Sequence, residues 1–153
     1  MKAERYVSDL STSEKVLMAM VRAAEIFKRT HSAIFRNYGL SFPQYNILRV
    51  LDASRNGINR ISEVSRIMLV PGANMTGLTK RLEKNGFIIR KSDPKDERVT
   101  LLEITPKGRR TLKNIEQEKD RSTEIMLKGF SQEDITDFLD KLKRLLKNNM
   151  LSF

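Results

Sequence analysis

Apolar and aromatic positions near the start of the chain recur at alternating separations of three and four residues: Leu17, Met20, Ala24, Phe27, His31, Ile34 and Tyr38. That period marks one face of an α-helix. Ser11-Thr12-Ser13-Glu14 ahead of it is a capping-box pattern, and Gly39 stands where a C-terminal cap is expected. The seam runs about three heptads, longer than a small domain needs for its own core, so part of it is available to a second chain. A second capping box, Ser41-Phe42-Pro43-Gln44, opens a shorter helix with Ile47, Leu48 and Leu51 inward. Asn56-Gly57 predicts a turn, Ser62 the cap of a third helix with Val64 and Met68 inward, and Val70-Pro71-Gly72 a break. A fourth helix is expected from about Ala73 to Asn85, stopped by Gly86.

The pattern then changes. Residues 87–91 and 99–104 are rich in Ile, Val, Thr and Phe, with Asp93-Pro94 starting a turn between them. They predict a β-hairpin whose loop is 92–98. Thr105-Pro106 predicts an N-cap followed by proline in the first helical position, opening a helix to about Lys128 that Gly129 stops. Ser131 caps a last helix with Ile135, Phe138, Leu139, Leu142, Leu145 and Leu146 along one stripe. The expected order is four helices, a hairpin and two helices, without repeats or flexible linkers. The fold class is mainly α with a small β-hairpin (α+β).

Composition narrows the partners. The 153 residues, 39% of them hydrophobic, suit one folded chain. No apolar run approaches the roughly 20 residues that span a bilayer, so no membrane partner is expected. The opening MKAERYVSDL lacks the apolar core of a secretory signal. The absence of cysteine excludes disulfides, thiolate zinc sites and a cysteine-based peroxide switch, and fits a cytoplasmic protein. The net charge is +10, and its placement is informative. Residues 1–59 carry nine Lys and Arg against five Asp and Glu, residues 60–110 twelve against six, and residues 111–153 eight against eight. A basic excess centred on a folded middle segment points to a polyanion.

Residues 61–104 read as helix, short break, helix and hairpin, the layout of a winged helix-turn-helix. On the fourth helix Met75, Leu78 and Leu82 form the inward face, leaving Asn74, Gly77, Lys80 or Arg81, and Lys84 away from it. Asn pairs well with an adenine edge, Arg with guanine or phosphate, and Thr with either a base or a phosphate. Gly77 costs a helix interior about 1 kcal/mol against alanine, which a close approach of DNA or of a packed helix would explain. The alternative for Lys80, Arg81 and Lys84 is plain solvation of an exposed helix.

Residues 61–108 resemble the DNA-binding core of the MarR (multiple-antibiotic-resistance regulator) family. The resemblance rests on RLEKNGFIIRK at 81–91, Asp96-Glu97-Arg98, and LEITPKG at 102–108. The family pattern is Asp-x-Arg in the wing and a Leu-Thr-x-x-Gly ending, and Ile104 takes the Leu place here. The resemblance implies a homodimer on a near-palindromic double-stranded DNA operator, with 41–108 as the DNA-binding domain and 11–38 and 109–153 as dimerisation helices. It implies that Asn74, Thr76, Gly77, Lys80 and Arg81 face bases or phosphates, that Arg98 enters the minor groove, and that Asp96 holds the tip. A narrow minor groove concentrates negative potential, which suits an arginine on a thin hairpin. Lys84 and Lys95 are further phosphate candidates, as are the backbone N–H groups around Ser62.

Many members of that family release DNA on binding a small, often aromatic and anionic effector. Arg22, Phe42 and Tyr45 are the candidates here, against the ordinary reading of aromatics as core. His31 sits in the helical seam, and one histidine is poor material for a metal site, so neither metal nor cofactor is expected. No Gly-x-Ser-x-Gly, Walker loop or Gly-x-Gly-x-x-Gly occurs, and the neighbours Glu133 and Asp134 suit a helix N-terminus, so no enzyme is expected. The expected function is that of a homodimeric repressor released by an effector. The alternatives are a winged helix that docks protein or structured RNA, or an activator without a ligand.

Overall fold

The computed structural model describes residues 9–150, apart from the side chain of Met150. Most of the segment considered as a leader, and residues 151–153 of the last helical region, lie outside the described residues. The chain divides into two compact units, 1–119 and 120–153. Helix α1 spans Thr12–Arg36 and α2 Phe42–Asp52. A short turn at Arg55–Gly57 leads into β1, Ile58–Arg60. Helices α3 (Ile61–Met68) and α4 (Gly72–Lys84) follow, then β2 (Ile88–Asp93) and β3 (Asp96–Ile104). Helix α5 spans Pro106–Met126 and α6 Gln132–Met150.

Both N-terminal capping boxes form. The Ser11 and Ser41 hydroxyls accept from the backbone N–H groups of Glu14 and Gln44, whose side chains accept from the cap N–H groups in return. Ser131 and Asp134 make the equivalent arrangement ahead of α6, where the Ser131 N–H bonds hold the Asp134 carboxyl below the usual carboxylate range. Gly39 has φ +75° at the end of the first helical segment, as its cap position requires.

The core of the first unit is built from Phe35, Leu40, Ile47, Leu48, Leu51, Val64, Met75, Leu82, Phe87, Ile88, Leu102, Ile104, Leu112 and Ile115. The expected inward face of α2 is in it, as are Met75 and Leu82 of α4, while Leu78 is partly buried against it. Thr79 joins them fully buried, its hydroxyl donating to the Met75 carbonyl at 2.8 Å. The long seam of α1 behaves differently along its length. His31 and Phe35 are buried, while Leu17 and Phe27 are exposed.

Three expectations are corrected. First, β1 was not expected; it pairs antiparallel with β3, giving a three-stranded sheet of order β1-β3-β2. Its three residues, Ile-Asn-Arg, are too few for a period, and its partner lies some forty residues on. Second, Ser62 is not the cap of α3. Arg60 holds that place without a side-chain cap bond, and Ser62 lies within the first turn. Third, the expected loop 92–98 is mostly strand, with only Pro94-Lys95 left as turn. Charged residues disfavour a half-buried sheet, but a ribbon standing in solvent needs only its backbone pairing.

The return from the ribbon is tightly constrained. The Thr105 hydroxyl donates toward the Gly86 and Phe87 carbonyl oxygens (2.7 and 3.0 Å) and accepts from the Gly108 N–H at 3.1 Å. A Cβ on Gly108 would lie 2.6 Å from the Phe87 carbonyl oxygen and 2.7 Å from the Ile104 side chain. Gly108→Ala is therefore expected to destabilise the protein by about 1–3 kcal/mol. Urea denaturation should show a lower midpoint at unchanged slope.

Candidate nucleic-acid interface

The turn between α3 and α4 sets which face of α4 is presented. Leu69 adopts φ +53°, a left-handed conformation costing a non-glycine residue about 1–2 kcal/mol. The Leu69 and Val70 N–H groups donate back to Arg66 and Ser65, and the Ser65 hydroxyl donates to the Val70 carbonyl. With Met75, Thr79 and Leu82 buried, Asn74, Thr76, Lys80, Arg81 and Lys84 are exposed on the far arc of the helix. Gly77 lies half-buried at the middle of that arc, and a Cβ there would meet nothing within 4 Å. Close packing of another helix within this chain therefore does not explain it. The Thr76 hydroxyl has one long contact, 3.5 Å to the Gly72 carbonyl oxygen, and remains exposed.

The ribbon tip is organised by its own charges. Arg98 is 91% exposed at its side chain. Its Nε and Nη2 donate to the two Asp96 oxygens at 3.0 and 3.2 Å, and its backbone N–H donates to Oδ1. These Arg98 bonds hold the Asp96 carboxyl below the usual carboxylate range. Lys95 is exposed, with its backbone N–H on the Asp93 carboxylate at 2.9 Å. Ser62 is exposed in the first turn of α3. Asp93, only 8% exposed, was read in the sequence solely as a turn former. It also faces Arg60 at 3.6 Å, and the Asp-Pro dipeptide gave no sign of that partner.

The effector candidates do not converge. Tyr45 is buried, stacked on Phe35 with ring centroids 3.8 Å apart. Its edge lines a cavity of about 140 Å³ together with Arg49, Arg109, Lys113 and Lys119, with Asp52 and Glu116 as counter-charges. Phe42 packs edge-on to Phe27 at 5.7 Å and lines a separate cleft with Ser32 and Arg36. Arg22 is exposed on α1 and lines neither. Among the described residues no group of three or more His, Cys, Asp or Glu could hold a metal, and no helix is long and apolar enough to cross a membrane.

A helix-turn-helix followed by a β-ribbon, with a basic polar arc on its second helix, defines a winged-helix DNA-binding module. Residues 29–115 match the family model described as transcriptional regulator SarA/Rot, which covers more than half of the chain. The regulator TtmR of Methylorubrum extorquens is 31% identical over 99 residues, 65% of this chain and 50% of TtmR. The chain thus spans about half the length of that relative. Among solved structures, the MarR-family regulator Sco3205 of Streptomyces coelicolor, in complex with DNA, shares the fold at a TM-score of 0.83 and 18% identity, covering 95% of this chain and 92% of that one. BpsR of Bordetella bronchiseptica, whose DNA binding is regulated by 6-hydroxynicotinic acid, aligns at 0.76 and 19% identity, covering 86% and 98%. This chain belongs to the SarA/Rot family of transcriptional regulators, and its fold is shared with MarR-family structures.

His31 lies at the edge of the aromatic group. It is 1% exposed, its ring centroid 4.1 Å from Phe27 and 5.9 Å from Phe35, with Nδ1 3.1 Å from the Phe27 carbonyl oxygen and Nε2 without a partner. Burial pushes the imidazole below its usual value and the Lys119 ammonium adds to this, while the Phe27 carbonyl opposes. The unfolded chain, near the ordinary value of about 6.5, then binds the proton more readily than the native state. This contribution to stability is present above that value and is lost as pH falls toward the folded one. His31→Phe is expected to flatten the loss of stability between about pH 7.5 and 5.5, read as the change in urea midpoint with pH.

Proposed function

We propose that this protein is a cytoplasmic, homodimeric, sequence-specific regulator of double-stranded DNA, repressing at a near-palindromic operator until a small anionic aromatic effector releases it. The carrying observation is the exposed arc of α4, with Asn74, Thr76, Lys80, Arg81 and Lys84 around an open Gly77, standing beside a ribbon whose Arg98 is held outward by Asp96. In this reading the arc occupies the major groove, with Asn74 and Arg81 reading base edges and Lys80 and Lys84 on phosphates. Arg98 enters the minor groove, and its carboxylate partner lets it arrive with its geometry already set. Lys95 and the N–H groups around Ser62 add backbone contacts.

Residues 41–108 form the DNA-binding domain in this reading, and 11–38 and 109–153 the dimerisation helices. Val16, Leu17, Met18, Val21, Ile26 and Phe27 are exposed on α1, and Phe138, Leu139 and Leu146 on α6. Apolar side chains at this density support association with a second copy. For the effector, the cavity beside Tyr45 offers an aromatic edge and an excess of cations. BpsR supports that ligand class. Release follows by linkage: a ligand that prefers the dimer unable to bind the operator lowers operator occupancy by its differential affinity.

Selection of bound fragments from the native genome tests the reading directly, with structured RNA as competitor. The expected result is a palindromic duplex whose affinity falls steeply with salt, as counterion release requires. Arg81→Ala is expected to weaken operator binding by about 1–3 kcal/mol, and Arg98→Ala to weaken it too. Lys147→Ala on α6 should leave it unchanged. Equal loss from Lys147→Ala with none from the other two would overturn the docking geometry. A charge placed in the exposed α1 face, Leu17→Asp, should shift the protein toward monomer in sedimentation and remove palindrome binding.

A further inference from the structure

We propose that Arg60 and Asp93 form a brace that positions the wing relative to the start of α3, making both positioning residues for DNA binding; this rests on the reading of the ribbon as a DNA-contacting wing. Asp93 is the one carboxylate buried among the described residues. It lies directly opposite Asp96 in the ribbon register, next to an irregularity between Ser92 and Asp93. Two like charges facing each other across a two-residue turn destabilise a ribbon unless each has its own counter-charge. Asp96 has Arg98. Asp93 has the Lys95 N–H on one oxygen and, on the other, Arg60 Nη2 at 3.6 Å.

The position of Arg60 gives that contact its consequence. It is the last residue of β1 and the N-terminal cap residue of α3, and it pairs with Leu101 of β3. Its guanidinium therefore reaches from one edge strand of the sheet to the other, since β3 lies between β1 and β2. The backbone ladder and the Thr105 hydroxyl hold the ribbon at its base. The ion pair adds a hold near the tip, where a change in ribbon angle displaces Arg98 most. It also ties the tip to the residue from which α3 begins. At 3.6 Å the contact is electrostatic rather than a good hydrogen bond. The buried acid and the guanidinium, whose side chain is 57% exposed, place it at the upper end of surface pairs.

Asp93→Asn is the discriminating variant, because the amide oxygen keeps an acceptor for the Lys95 N–H while the charge is lost. Removing a negative charge beside DNA would by itself tighten binding. The brace instead requires weaker operator binding, by about three- to fivefold. Arg60→Ala should weaken it similarly and leave the salt slope unchanged, whereas a direct phosphate contact would reduce the slope by about one. Arg60→Lys should recover part of the loss. The double variant should be no worse than either single one. Without DNA, hydrogen exchange at the Lys95 and Arg98 amides should quicken in both single variants. Asp93→Asn binding as tightly as the parent or tighter, additive single effects, or wing-tip exchange unmoved by Arg60→Ala would each overturn the brace. Failure of the unaltered protein to bind any duplex would instead overturn the DNA reading, and the exchange measurement would still decide the brace.

Discussion

The Thr105 hydroxyl closes the junction on which the geometry of the wing depends. It joins the end of α4, through Gly86 and Phe87, to the first turn of α5, through Gly108. Four elements meet there: α4 ends, β2 begins, β3 ends and α5 starts. The Thr105 N–H also donates to the Phe87 carbonyl at 3.0 Å, and Lys107 Nζ donates to the Asn85 carbonyl while lying over the Phe87 ring. A ribbon attached this way leaves the body at an angle set by hydrogen bonds within a few ångströms of the α4 terminus. That is the precision two reading elements need if they are to meet two grooves of one duplex.

Charge follows the same division between held and presented groups. Three of the four acids on the ribbon strands are occupied internally, Asp96 by Arg98, Asp93 by Arg60 and Glu103 by Lys91, while Glu97 is exposed. On the exposed arc of α4 the residues are polar or cationic, with Glu83 turned to the Arg90 backbone N–H. A polyanion approaching that arc meets uncompensated positive charge, while the carboxylates nearby act on shape. Lys80, Arg81 and Lys84 could equally be read as ordinary helix solvation from sequence alone. The open space around Gly77 weighs against that reading, because solvation gives no reason to accept glycine's helix penalty there.

Legibility in the sequence tracks how local each signal is. Capping boxes at Ser11 and Ser41, the glycine after α1 and the buried faces of α2 and α4 involve residues within one or two turns, and all were readable. The strand β1 was not, because three residues become a strand only through a partner far along the chain. Ribbon length was misjudged for a related reason: Ser92, Asp93, Asp96, Glu97 and Arg98 lack strand propensity, and pairing of the two backbones overrides it. At the site, Asp96 and Arg98 were legible through the family pattern, while Asp93 hid inside a turn signal. The effector candidates fared differently. Aromatic identity shows that a residue prefers burial but not which cavity its edge faces, and Phe42 and Tyr45 line separate ones.

Helix α1 carries the clearest sign of how reading and association are linked. Its buried residues begin at His31, and Phe35 from the same stretch stacks on Tyr45 of α2. Before His31 the apolar face of the helix is exposed. One helix therefore places only its C-terminal end, from His31, in the core, and leaves the apolar face of the rest exposed. Tyr38 fixes its far end, donating to Glu118 at 2.6 Å. In a dimer joined through that exposed face, a small rotation of α1 would move α2, and with it the packing under α4, because close-packed interiors transmit displacement rather than absorb it. The separation of two half-sites on DNA is fixed by helical repeat, so in the proposed dimer such a rotation would change operator affinity without altering a single base contact. His31, with one ring nitrogen unpartnered, is the residue at which the helix passes from exposed to buried, so such a rotation would act on it directly.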